Sequence, residues 1–148
     1  MTKERVTKPR NKIRILLVDD HAVVRTGVRR LLEKARDMLV VGEAGDGLQA
    51  LKMVEALEPD IMVLDVEMPR MNGLAVARQL TDRHSAVKIL ALSAYDDRQY
   101  IQGMLDQGAA GYMIKDEVPD MLLQAIRHIA AVKQPWLSKR AERMIQNG

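Results

Sequence analysis

Ile13-Arg14-Ile15-Leu16-Leu17-Val18-Asp19-Asp20 is the stretch on which the fold turns. A short aliphatic run ends abruptly in two adjacent carboxylates. Three later runs end in the same abrupt way. Ile61-Met62-Val63-Leu64 ends in Asp65, Val87-Lys88-Ile89-Leu90-Ala91-Leu92 in Ser93, and Gly111-Tyr112-Met113-Ile114 in Lys115. Short apolar runs separated by helix-length segments read as parallel strands joined by helical crossovers. In such sheets the carboxyl ends of the strands lie along one edge, where ligands bind. Three carboxylates, a hydroxyl and an ammonium are therefore expected to converge on one site from distant parts of the chain.

The segments between the runs fit that reading. A first helix starts near His21, with Val24, Val28, Leu31 and Leu32 on one face. Leu39-Val40-Val41 forms another strand that ends at Gly42-Glu43-Ala44. After the Gly45-Asp46-Gly47 turn a second helix covers about Leu48 to Leu57, stopped by Glu58-Pro59-Asp60. Pro69 and Asn72-Gly73 make a loop, and a third helix covers about Leu74 to Arg83. The fourth, about Asp97 to Gln107, ends at the capping residue Gly108. The fifth opens near Pro119 and buries Leu122, Ile126 and Ile129. The pattern is a (βα)5 α/β domain, a doubly wound, five-stranded parallel sheet with right-handed crossovers.

Composition sets the outer bounds. The 148 residues suffice for one domain burying roughly 68–70% of its unfolded surface. Phe is absent and Met numbers 10, so aliphatic and thioether side chains must fill the core. Without Cys there are no disulfides and no thiolate metal sites. No apolar run approaches the roughly 18 residues that span a bilayer, and no signal-peptide core follows the basic start. A cytoplasmic protein without membrane partners is the expectation. The net charge of +3 comes from the ends. Residues 1–12 hold Lys3, Arg5, Lys8, Arg10 and Lys12 against Glu4. Residues 133–148 hold Lys133, Lys139, Arg140 and Arg143 against Glu142. The body is acidic, so the basic excess does not describe a nucleic-acid-binding face.

The converging groups suit phosphoryl chemistry. Asp19, Asp20 and Asp65 offer the oxygen ligands that a hard cation such as Mg2+ prefers. Such a cation beside a carboxylate favours phosphoryl transfer to it, because charge on the moving group is neutralised. Asp65, at the end of an almost uninterrupted apolar run, is the best nucleophile. Lys115 can pair with one phosphoryl oxygen and Ser93 can donate to another. Any one of these residues alone is commonly a helix cap or a turn residue; all five at strand ends make that reading improbable. His21 adjoins the acidic pair but is read as a surface helix start, and His84 and His128 as exposed. Tyr112, three residues before Lys115, is either core or mobile. Gly42-x-x-Gly45-x-Gly47 has the wrong order for a dinucleotide fingerprint and reads as a turn.

Val18-Asp19-Asp20-His21, Leu64-Asp65-Val66-Glu67-Met68-Pro69-Arg70-Met71-Asn72-Gly73-Leu74, Leu92-Ser93-Ala94 and Gly108-Ala109-Ala110-Gly111-Tyr112-Met113-Ile114-Lys115-Asp116 resemble the receiver domain of two-component response regulators. The likeness covers about residues 13–132. Val40-Val41-Gly42-Glu43-Ala44 and the Lys115-Asp116 pair are similar to the NarL/FixJ branch, in which a helix-turn-helix DNA-binding domain follows the receiver. The resemblance implies a flavodoxin-like fold of strand order 2-1-3-4-5. It makes Asp65 the phosphoacceptor, Asp19 and Asp20 the acidic pair, and the Glu67 backbone carbonyl a further Mg2+ ligand. Lys115 becomes the phosphoryl-contacting lysine, and Ser93 and Tyr112 the switch residues, with Tyr112 shifting inward behind Ser93. Glu67, Ala94 and Tyr95 flank the site and tune the phosphoryl lifetime. Asp116 stands where many receivers have a proline, so their cis peptide is not carried over.

The reading is a phosphorylation-controlled switch fed by a sensor histidine kinase or a small phosphodonor, catalysing only its own phosphorylation and dephosphorylation. Its rivals are a stand-alone phosphorelay receiver, an aspartyl-phosphate phosphatase and a purely structural interaction domain. Phosphatases of the haloacid-dehalogenase type place aspartates at i and i+2 after the first strand, which this chain does not. Three parts are expected: a flexible basic extension over 1–12, the receiver over 13–132 and a linker over 133–148. In the linker Pro135 interrupts the helix, and Trp136 packs over the end of the last helix. Ser138 caps a short piece carrying Ala141, Met144 and Ile145. Gln134-Pro135-Trp136-Leu137-Ser138 resembles the NarL/FixJ interdomain linker. The expectation is a fragment that binds no nucleic acid, with DNA reading left to the full-length protein. A symmetric homodimer through the first or fifth helix is also expected.

Overall fold

A computed structural model of the chain describes residues 12–68, 71–94 and 98–147. The expectations for the 1–12 extension (except Lys12), Pro69, Tyr95 and the first residue of the fourth helix lie outside them. The chain runs β1 (Ile13–Val18), α1 (Ala22–Glu33), β2 (Met38–Ala44), α2 (Gly47–Leu57), β3 (Ile61–Asp65), α3 (Gly73–Asp82), β4 (Lys88–Ser93), α4 (Arg98–Asp106), β5 (Gly111–Ile114), α5 (Val118–Ala131), β6 (Trp136–Leu137) and α6 (Lys139–Asn147). All strand pairs are parallel, in the order β2-β1-β3-β4-β5-β6.

Alternation along the strands divides the core between two faces, because successive side chains in a strand point to opposite sides. Leu16, Val18, Met62 and Leu64 join the α2, α3 and α4 residues Leu51, Val76, Ile101 and Met104. Ile15, Leu17, Ile61 and Val63 join Val28 and Leu32 of α1 and Leu122, Ile126 and Ile129 of α5. β1 and β3 are buried on both faces, which is why their sequences read as continuous apolar runs. A register shift between Ile15 and Leu16 lets β1 follow the longer β2.

Two residues assigned to turns are in fact helix caps. Asp46 accepts from Gln49 N at 2.8 Å and opens α2. Asn72 accepts from Ala75 N at 3.0 Å and opens α3. Each such cap stabilises its helix by about 1 kcal/mol. Gly73 follows because a Cβ there would come within 2.7 Å of Val66 Cα. That close approach seats the segment after β3 directly on the start of α3. Gly108 closes α4 at φ +86°, the left-handed geometry that glycine accepts without penalty.

Among the described residues the sheet has six strands where five were expected. Trp136 N donates to Ala110 O (2.8 Å) and Ser138 N to Tyr112 O (3.2 Å), so the segment after Pro135 pairs with β5. A two-residue strand offers no periodicity to read, which is why the tail looked like a connector. Ser138 Oγ accepts from Ala141 N at 3.2 Å and starts α6. Ala141 is fully buried, and Met144 and Ile145 pack on the same core as Ile101, Met104 and Tyr112. Trp136 is buried with Ile126 and Ile129 of α5.

Candidate functional site

The carboxyl ends of β1, β3, β4 and β5 bring Asp19, Asp65, Ser93 and Lys115 to one sheet edge. Asp65, the last residue of the central strand β3, is 1% exposed. Its Oδ1 accepts from Glu67 N at 3.0 Å and lies 3.3 Å from Lys115 Nζ. Lys115 Nζ also lies 3.9 Å from Asp19 Oδ2, so one ammonium bridges the ends of β1 and β3. Burial pushes the Asp65 carboxyl up from its ordinary 3.8 to about 6. Lys115 opposes this rise, Asp19 adds to it, and the Glu67 N–H offsets part of it.

Asp19 is buried. Its backbone N–H donates to Ala44 O (3.1 Å), extending the β1–β2 pairing, and its Oδ1 accepts from His21 N at 2.8 Å. Asp20 is half-buried beside it. The His21 ring, on an exposed side chain, stands 3.4 Å from Asp19 Oδ1 and 3.2 Å from Asp20 Oδ1. One ligand atom from each of Asp19, Asp20, His21 and Asp65 lies within 4.8 Å of the others. Asp65 Oδ2 is buried and accepts no hydrogen bond from any described residue. A buried carboxylate oxygen costs free energy unless something positive or protic meets it. Clustered carboxylates around such an oxygen fit a hard divalent cation.

Two contributors escaped the sequence reading. Arg25, on the first turn of α1, donates from Nη1 to the Asp19 carbonyl (2.5 Å) and from Nε to Glu43 Oε1 (2.9 Å). Arg29 holds the other Glu43 oxygen at 2.5 Å. The guanidinium groups keep the Glu43 carboxyl below the usual range despite its burial. The α1 residues one and two turns beyond the acidic pair were the available signal. The second is a contact: Glu67 was read as a backbone ligand and as a residue flanking the site, but not as a partner of Ser93. Glu67 Oε2 accepts from Ser93 Oγ at 2.5 Å, and Oε1 from Ala94 N at 3.3 Å.

Tyr112 is fully buried in β5, packed with the cluster that holds Ile101, Met104 and Ala141. Of its two sequence readings, the structure has core. The tail residues Ala141, Met144 and Ile145 belong to the same packed cluster. His84 is exposed as expected, His128 is half-buried rather than exposed, and neither belongs to the acidic cluster's ligand set. No helix among the described residues is long and apolar enough to cross a membrane.

Comparison with known proteins agrees with this architecture. Residues 15–127 match the response regulator receiver domain. The chain is similar to the transcriptional regulatory protein DegU of Brevibacillus brevis, 39% identical over 120 residues, which are 81% of this chain and 51% of DegU. It is similar to the nitrate/nitrite response regulator NarL of Escherichia coli strain K12, 41% identical over 79% of this chain and 54% of NarL. A LuxR-family two-component response regulator from Aurantimonas sp. SI85-9A1 superposes with TM-score 0.87 at 33% identity, covering 92% of this chain and 96% of that one. The receiver domain of NarL from Mycobacterium tuberculosis superposes with TM-score 0.72 at 36% identity, covering 79% and 98%. The chain spans about half the length of the curated relatives it matches. It belongs to the response regulator receiver family, in its NarL/LuxR-type branch.

Proposed function

We propose, from that membership, that Asp65 is the residue of this receiver that takes the phosphoryl group. The observation that carries the proposal is a buried carboxylate in contact with one ammonium and beside an acidic pair. Asp65 must be ionised to attack, and with its carboxyl raised to about 6 it is largely so near neutral pH. One of its oxygens bonds to the phosphorus of a sensor kinase's phosphohistidine or of a small acyl phosphate. The P–N or P–O bond breaks, and its electron pair leaves with the imidazole, which takes up a proton, or with the carboxylate.

Asp19, Asp20, Asp65 and the Glu67 carbonyl would hold Mg2+, which supplies charge neutralisation at the transferring group. Lys115, already 3.3 Å from Asp65, turns to pair with a phosphoryl oxygen, and Ser93 donates to another. The new charge and its acceptor oxygens bias the ends of β4 and β5, hence the face of α4, β5 and α5. Tyr112 of β5, packed in one cluster with Ile101 and Met104 of α4 and Ala141 of α6, couples the event to the tail. The protein acts on its own aspartate only, in the cytoplasm, and the full-length output is transcriptional control through DNA.

Val23, 86% exposed, and Val24 stand on α1 beside a groove lined by Val28, Leu31, Val118 and Pro119. This is the face through which a symmetric dimer would form; sedimentation equilibrium with and without beryllofluoride tests it, and a monomer in both states removes it. The phosphoacceptor is tested by intact mass after acetyl phosphate treatment with Mg2+. The wild type gains one base-labile phosphoryl group and Asp65→Asn gains none. Equal labelling of the two overturns the assignment.

A further inference from the structure

Glu67 sits two residues past Asp65, and its backbone N–H is fixed on Asp65 Oδ1 at 3.0 Å. Its side chain crosses from the end of β3 to the end of β4. There one carboxylate oxygen takes the Ser93 hydroxyl at 2.5 Å and the other takes the Ala94 N–H at 3.3 Å. Ser93 is fully buried, so its hydroxyl has no solvent alternative. These two donors, one hydroxyl and one backbone N–H at a strand end, are what an oxyanion attached to Asp65 needs. An anionic group with two acceptor oxygens already occupies them.

We propose that the Glu67 carboxylate is an internal stand-in for the phosphoryl group, holding Ser93 and the Ala94 N–H until an anion on Asp65 displaces it. The proposal rests on the reading of Asp65 as phosphoacceptor. A serine hydroxyl has one proton to donate, so it cannot serve Glu67 and a phosphoryl oxygen together. Two anions brought to the same donors also repel. Glu67 is only half-buried, so its carboxylate can swing into solvent once released. The site thus has two exclusive arrangements. In one, Glu67 clamps the ends of β3 and β4 together and Lys115 rests on Asp65. In the other, the phosphoryl oxygens hold Ser93, the Ala94 N–H and Lys115, and Glu67 is expelled. Glu67 therefore sets how hard the switch is to turn.

The test is titration of the whole chain with beryllofluoride, an anionic phosphoryl mimic, at saturating Mg2+, followed by amide chemical shifts. Losing a competing charge-assisted contact of about 1.5 kcal/mol corresponds to about tenfold tighter binding in Glu67→Ala. Glu67→Gln keeps the shape without the charge and falls between. In metal-free protein the Ala94 amide signal moves in Glu67→Ala, because its acceptor is gone. In a Ser93→Ala background the gain from Glu67→Ala shrinks markedly, since the contested hydroxyl is absent. Unchanged or weaker beryllofluoride binding in both Glu67 variants overturns the proposal, while loss of labelling in Asp65→Asn would leave the phosphoacceptor standing. A chain that binds no beryllofluoride in any variant and still labels in Asp65→Asn takes down both.

Discussion

Asp65→Asn should make the metal-free protein more stable near neutral pH, although it destroys the proposed function. The carboxylate is 1% exposed and its pKa rises from 3.8 to about 6, burial outweighing the attraction of Lys115. The folded state therefore holds the proton more tightly than the unfolded chain does. Below about pH 4 both states are protonated and the residue is neutral in its effect. As pH rises through the window from 3.8 to about 6 the folded state is penalised, and above it the penalty is complete. At about 1.4 kcal/mol per tenfold in proton affinity, the full penalty is about 3 kcal/mol. Asparagine is uncharged throughout, but its amide must find partners beside Lys115, at a cost of about 1 kcal/mol. The net expectation is a gain of about 1–3 kcal/mol at about pH 7.5, vanishing or reversing at about pH 4. Urea unfolding in chelator, repeated across that range, measures it. A difference between the two proteins that does not change with pH refutes the argument that burial of this charge is the cause.

Two further outcomes follow from the same geometry. Mg2+ at about a hundred times its dissociation constant should stabilise the wild type by about 2.7 kcal/mol in the same unfolding assay. Asp20→Ala should lose most of that increment while its metal-free stability changes little; an undiminished Mg2+ effect would remove Asp20 from the ligand set. Ala141→Asp would bury an unpaired carboxylate against Ile101, Met104 and Tyr112. Amide exchange should then show residues 137–146 losing protection while β1 to β4 keep theirs. Retained protection in α6 would mean that the tail is not held by this contact.

The sheet edge was legible because strand ends carry their chemistry in sequence. Asp19, Asp65, Ser93 and Lys115 each follow an apolar run, so the parallel topology alone brings them together. The caps Asp46 and Asn72 were visible as turn residues, but a turn and a helix start use the same side chains. What stayed hidden depends on side-chain reach. Arg25 bonds the Asp19 carbonyl only because α1 leans on β1 and β2, and Glu67 meets Ser93 only because β3 and β4 are neighbours. The sixth strand was hidden for another reason. Its identity lies in the backbone bonds from Trp136 and Ser138 to Ala110 and Tyr112, which no side-chain pattern announces.

The central claim is that one carboxylate among three neighbours takes the phosphoryl group, and locating the modification tests it most directly. Protein treated with acetyl phosphate and Mg2+ is reduced with borohydride, which converts an acyl phosphate on aspartate to a stable alcohol, and the peptides are then sequenced by mass spectrometry. The account predicts the reduced residue at Asp65 alone, in the peptide carrying Val63-Leu64-Asp65-Val66-Glu67. Reduction at Asp19 or Asp20, with Asp65 intact, would contradict it.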